Sequence, residues 1–322
     1  MLQFLRVILR LKGGEILNRK KIIGIVLLFF AALFWGIAFV AQDKGAAHMD
    51  GFTFQAVRSL IGSAALVPVF LTRDALAKKN GTYVPPTAAS RKWLLWGGLA
   101  CGVIVCAATL FQQFSIANNV TSPGKDAFIT ALYIVFVPVF SLFLGKRAQP
   151  HVYVCVAIAL GGLWMLCMNG SSITVGDLQG IICSLIFSLH IIVLGFVAPR
   201  VDGVRLSALQ FFVSGTISAV FMFTLGDPSI EGIVAGIWPI LYAGVISCAG
   251  AYTLQILGQR DTPPTLACLV MSLESVFAVL ASIVLLPEIP APTTTEWIGM
   301  ALIFAAIICS QLTLPYPRRK TE

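Results

Sequence analysis

Apolar residues along this chain fall into about ten blocks of near membrane-spanning length, separated by short polar connections. The blocks cover roughly residues 22–42, 52–72, 93–114, 123–145, 151–168, 178–199, 206–225, 233–256, 264–286 and 297–314. A helix crossing a bilayer core takes about 20 apolar residues, so the pattern predicts an all-α integral membrane protein of ten transmembrane helices. The first block is longer than the roughly 7–15 apolar residues of a signal peptide, and no small-residue cleavage site precedes a soluble domain. It is read as an uncleaved span.

The polar connections carry a second signal. Lys and Arg collect before the first block (Arg6, Arg10, Lys12, Arg19, Lys20, Lys21) and between the second and third (Arg73, Lys78, Lys79, Arg91, Lys92). They recur in Lys146, Arg147, Arg200, Arg205 and Arg260, and at the end in Arg318, Arg319 and Lys320. Of the 22 basic residues, only Lys44, Arg58 and Lys125 lie elsewhere, and the connections 169–177, 226–232 and 288–296 hold none. Basic residues mark the cytoplasmic side, so both termini are expected there and the number of spans is even. Residues 1–21 form a basic cytoplasmic segment, 22–169 and 178–314 two sets of five spans, and 315–322 a cytoplasmic tail. The expected location is the plasma (inner) membrane.

Composition agrees: 58% of residues are hydrophobic and 11% charged, against about 25% charged in soluble domains. The net charge of +8 does not point to nucleic acid, because the basic residues form no single patch with interleaved aromatics. All eight cysteines fall inside predicted spans with no CxxC pair, which fits packing rather than disulfides or a metal site. No cofactor is expected, and no GxxxxGK[ST] loop is present for direct use of ATP.

The chain also matches itself. At an offset of 141, the stretch from Thr121 to Arg147 aligns with that from Thr262 to Glu288, with identities at Thr121/Thr262, Pro123/Pro264, Leu132/Leu273, Val135/Val276, Phe136/Phe277, Ser141/Ser282 and Leu144/Leu285. Five is odd, so the second set must enter the membrane in the opposite sense to the first. The expected architecture is two inverted five-helix repeats around a midplane site.

Four stretches carry a family resemblance: AALFWGIAFV in the first block, QAVRSLIGSAAL in the second, TSPGKDAFITALYIVFVPV in the fourth and LVMSLESVFAVLASIVLLPE in the ninth. Through them the chain resembles the drug/metabolite transporter superfamily, specifically its EamA family of ten-span exporters and permeases, over nearly all of residues 22–314. Ser275 stands where the family pattern usually has proline, which bears on whether the ninth helix kinks there. The resemblance implies a central cavity surrounded by the first, third, fourth, sixth, eighth and ninth spans.

Ionisable groups inside a membrane are costly and therefore candidates for function. Glu274 lies ten residues past Pro264, about 15 Å into the bilayer at 1.5 Å per residue. His190 falls at similar depth in the sixth span. Lys125 and Asp126 stand at the outer start of the fourth, and no charge occupies the corresponding positions of the second half. Arg58 is expected to snorkel or to hold a neighbouring carbonyl, a structural role. Trp35, Gln112, Gln113, Tyr133 at the repeat position of Glu274, and Tyr252 at that of Phe111 complete the set, since aromatic walls with a few convergent polar groups make small-molecule sites. The expectation is a secondary transporter of a small organic metabolite such as an amino acid, working outward by alternating access. Its expected partners are that substrate, membrane lipid, protons as coupling ion and a second copy in a homodimer. The alternative, a membrane-embedded enzyme or lipid-modifying protein, lacks a GxSxG or HExxH motif or clustered histidines, so no enzyme is expected.

Overall fold

A computed structural model describes residues 19–118, 123–145, 150–167, 174–286 and 292–310, and among them every regular element is helical. In chain order these are α1 (Arg19–Ala46), α2 (Gly51–Lys79), α3 (Ala88–Asn118), α4 (Pro123–Thr130), α5 (Tyr133–Phe143), α6 (Pro150–Cys167), α7 (Val175–Val197), α8 (Gly203–Thr224), α9 (Ile230–Ala235) and α10 (Ile237–Leu241). A π-helical segment, Tyr242–Ala251, then runs into α11 (Tyr252–Gln259), followed by α12 (Pro264–Met271), α13 (Leu273–Leu285) and α14 (Thr294–Ser310).

Eight helical runs are long and apolar enough to cross a membrane, among them Pro123–Phe143, formed by α4 and α5, and Pro264–Leu285, formed by α12 and α13. The expected fifth and tenth spans fall on shorter apolar stretches, Pro150–Gly162 and Thr294–Ala306. Of the expected basic segment 1–21, residues 1–18 lie outside the described residues and 19–21 begin α1; the expected tail 315–322 also lies outside them. Large apolar side chains such as Leu71, Phe143, Phe223 and Trp238 stand exposed on the outside of the bundle, the surface a bilayer solvates. The protein is a multi-pass membrane protein.

The helix pairings are symmetric under exchange of the two halves. α2 packs on α8 and α6 on α14; α3 lies against α7 and α8, as the π-helical segment with α11 lies against α1 and the π-helical segment against α2. α4 meets α13 while α5 meets α12, so the two broken runs lie antiparallel. Small residues set the approach of these helices. A Cβ on Gly98 would stand 2.4 Å from Leu209 Cδ2, and one on Gly102 would stand 2.8 Å from the backbone oxygen of Gln210. The GxxxG spacing of α3 thus lets α8 come close.

Ionic and polar ties join helices at both ends of the bundle. At one end Arg73 pairs with Asp202 at 2.8 Å and Arg205 with Asp74, joining α2 to α8. At the other, Lys125 pairs with Asp177 at 2.9 Å, joining α4 to α7, and Lys44 Nζ donates to the Leu285 carbonyl, joining α1 to α13.

Candidate functional site

Two helix breaks build the centre of the bundle. The first falls at Ala131–Leu132 and the second at Ser272, and they are related by the same offset of 141 residues that aligns the two halves. Around the first, Leu132 N donates to Ile129 O and Val135 N to Leu132 O, tight i→i−3 bonds in place of the α-helical pattern. Around the second, the Ser272 hydroxyl donates to Leu269 O at 2.8 Å and the Ser275 hydroxyl to Ser272 O at 2.6 Å. Hydroxyls that bond back to backbone carbonyls disturb helices. The run Pro264–Leu285 is therefore interrupted with a serine, not a proline, at residue 275.

Tyr133 and Glu274 each follow one of these breaks directly. Tyr133 Oη donates to Glu274 Oε1 at 2.9 Å, and both side chains are buried. A narrow cavity of about 30 Å³ opens beside them, room for about two waters. Its wall includes Trp35, Gln112, Tyr252, Gln255, Arg58 and Thr109. The Trp35 ring meets that of Tyr252 edge-on at 4.8 Å, and Phe211 backs Tyr252 at 4.9 Å. Of the six tryptophans, Trp93, Trp96, Trp164, Trp238 and Trp297 are exposed on the outer surface, so Trp35 alone serves the interior.

The π-helical segment contributes Ser247 and Cys248 to the same wall. Helices of this kind are rare and concentrate at functional sites, because the wider turn leaves backbone groups and side chains displaced from the α-helical register. Nothing in the apolar pattern of YAGVISCAGA announces it.

Arg58 takes one of its two expected roles. It does not snorkel, being 3% exposed on the cavity wall, and it holds neighbouring carbonyls, those of two glutamine side chains. Its Nε donates to Gln55 Oε1 at 2.7 Å and its Nη1 to Gln42 Oε1 at 2.6 Å, while the guanidinium carbon stands 5.2 Å from the centre of the Phe54 ring. Its Nη2 is buried without a hydrogen-bond partner. Only the depth of a lone Arg in an apolar block hinted at this.

The remaining sequence candidates sit around the cavity rather than on it. Gln113 donates to Gln42 O at 3.3 Å and props the helix that holds Arg58 in place. His190 is fully buried behind Tyr252, with ring centres 6.1 Å apart, and its Nε2 contacts Gln210 Oε1 at 3.2 Å. Asp126 accepts from Ser115 at 2.9 Å. Lys125 pairs with Asp177, whose same oxygen also accepts the Thr174 N–H in the capping box that starts α7. A separate hollow of about 390 Å³ lies at the opposite end of the bundle among Lys20, Pro199, Leu257 and Arg260.

Comparison with known proteins agrees with this geometry. The model of the EamA-like transporter family matches residues 22–168 and 174–311, one segment for each half. An uncharacterized transporter of Archaeoglobus fulgidus is 27% identical over 287 residues, 88% of this chain and 84% of that protein. The uncharacterized transporter YwfM of Bacillus subtilis is 24% identical over 286 residues, 87% of this chain and 91% of its own length. A crystal structure at 19% identity has a TM-score of 0.68 and covers 90% of this chain, which establishes a shared fold.

Proposed function

Because the chain belongs to the EamA-like transporter family, we propose that it is a secondary transporter that moves a small organic metabolite, such as an amino acid, outward across the plasma (inner) membrane. Ten spans arranged as two inverted five-helix repeats would carry it, with both termini cytoplasmic. The observation that carries this reading is the pair of antiparallel broken runs, interrupted at repeat-equivalent positions and joined by Tyr133 and Glu274 beside the cavity. Broken helices at the repeat interface are where secondary transporters hold substrate and coupling ion.

The cavity as it stands is smaller than the roughly 300–1,000 Å³ of a small-molecule site, so admitting a solute requires the wall to move. Lys125–Asp177 would close the outer end, and the hollow by Lys20 and Arg260 would face the cytoplasm. Glu274 is the proton or substrate-amine site in this scheme, with protons as the coupling ion.

The test is transport by the purified protein in lipid vesicles, with the solute recovered and shown to be chemically unchanged. Wild-type vesicles are expected to drive labelled solute in response to an imposed pH gradient. Glu274→Gln, which keeps the shape and the oxygen that receives Tyr133, is expected to exchange solute without responding to the gradient. An unaltered gradient response in Glu274→Gln would make Glu274 structural, and chemical conversion of the solute would replace the transport reading by an enzymatic one.

A further inference from the structure

Arg58 is the buried charge that the scheme above does not use. Its guanidinium is fixed on two sides by the neutral oxygens of Gln42 and Gln55 and backed by Phe54, and its third arm, Nη2, faces no partner although the residue is 3% exposed. Among the described residues no carboxylate forms an ion pair with it: the ion pairs there join Arg73, Lys125 and Arg205 to Asp74, Asp177 and Asp202. A cation buried in a membrane protein costs at least about 2.5–3.5 kcal/mol, and leaving it uncompensated is the most costly arrangement for a buried charge. Guanidinium groups present a planar fork that matches carboxylates.

The neighbours of Arg58 point the same way. Trp35 Nε1 is a second buried donor without a partner on the cavity wall, and an indole N–H can only donate. The one acid of the wall, Glu274, already receives Tyr133. Arg58 also belongs to one half only. The α2 stretch QAVRS and the α8 stretch QFFVS align at an offset of 155, pairing Ser59 with Ser214, whose oxygens lie 3.5 Å apart, and placing Val213 opposite Arg58. The charge is thus an asymmetric addition to a symmetric frame, on the side of the cavity toward Gln42.

Resting on the transport reading of this cavity, we propose that Arg58 is its anion-binding residue: Nη2 receives an oxyanion, a carboxylate in the simplest case, of the transported solute, and solutes without such a group are rejected. Gln42 and Gln55 are positioning residues that aim the guanidinium. The bound anion neutralises the buried charge, so it stabilises the fold when it binds.

The full-length protein in detergent, followed by thermal unfolding, tests this with aliphatic, aromatic and amino carboxylates, each beside its primary amide, and with chloride titrated separately. At least one carboxylate is expected to stabilise the wild type while its amide does not. Loss of hydrogen bonds to a charged group lowers affinity by about 10- to 100-fold, the drop expected for that carboxylate in Arg58→Gln, with Arg58→Lys intermediate. Equal stabilisation by an amide and its acid, an unchanged shift in Arg58→Gln, no shift with any carboxylate, or an Arg58-dependent shift with chloride alone would each overturn the proposal. The acid-against-amide comparison stands on the wild type even where Arg58→Gln fails to fold. Vesicle flux separates the two readings: Arg58-dependent binding without flux sinks transport alone, whereas flux of an uncharged solute unaffected by Arg58→Gln sinks the anion site alone.

Discussion

Tyr133 and Glu274, separated by 141 residues, are repeat mates that hydrogen-bond to each other at 2.9 Å. The same offset that aligns the halves of the sequence therefore brings these two positions together where the halves meet. Each follows a break in its helical run, so the bond ties the two interruptions into one unit. Movement of one broken run relative to the other must stretch or release it.

That arrangement predicts energetic coupling. Tyr133→Phe removes the donor, and Glu274→Ala removes the acceptor. Interhelical hydrogen bonds in membrane proteins average about 0.6 kcal/mol in double-mutant cycles, with a maximum near 1.7, and a buried carboxylate acceptor places this pair toward the upper end. Unfolding of the four proteins in a detergent titration checks it; strictly additive effects would show that the bond contributes nothing.

Close approach of α1 to α13 gives a second prediction. A Cβ on Gly36 would meet Phe277 Cβ at 2.4 Å and the backbone nitrogen of Ala278 at 2.8 Å, neither of which can swing aside. Gly36→Ala should therefore cost about 1–3 kcal/mol through overpacking and reduce transport, because the helix carrying Trp35 shifts. Gly161→Ala, where a Cβ meets nothing within 4 Å, should be neutral. Thermal stability of the two variants decides; equal stability would remove the packing argument.

The orientation is open to labelling. On a background without native cysteines, an impermeant maleimide should modify Glu231→Cys in intact cells and reach Thr82→Cys only after permeabilisation. Both positions are exposed, so burial does not confuse the result. The reverse pattern would invert the whole arrangement and with it the assignment of Lys125–Asp177 to the outer end.

The sequence conveys the spans well and the site unevenly, for physical reasons. Membrane insertion demands long apolar blocks whatever the tertiary packing, so eight runs are legible by composition. Glu274 is visible because a carboxylate at that depth is rare, and Tyr133 because the repeat maps one onto the other. Apolar runs such as YIVFVPV and YAGVISCAGA do not reveal where a helix breaks or widens, since that depends on neighbours. Arg58 was hidden for another reason: a long side chain near a membrane surface reads as snorkelling until Gln42 and Gln55 are seen to hold it inward. His190 and Gln113 have the depth expected of cavity residues, yet helix rotation, which periodicity cannot set in an all-apolar block, turns them to its second layer.

The Lys125–Asp177 tie yields the last prediction. Lys125 and Asp177 form an ion pair with side chains only 10% and 7% exposed, between α4 and α7. Asp177 also caps α7, so the informative change is at Lys125, where Lys125→Met keeps the aliphatic stem and removes the charge. A carboxylate left without its cation at this depth favours a state in which water reaches it, which in the proposed orientation is the state open to the outside. Each 1.4 kcal/mol moved in such an equilibrium changes the populations about tenfold. In the Lys125→Met background, a thiol at Gln112→Cys on the cavity wall should therefore react roughly tenfold faster with external reagent. If the proposed alternation holds, so that opening one mouth closes the other, a thiol at Tyr252→Cys should react more slowly from the cytoplasmic side. Faster reaction at both positions would mean a loosened bundle rather than a rocking one, and no change at either would reduce the ion pair to a surface fastening with no part in transport.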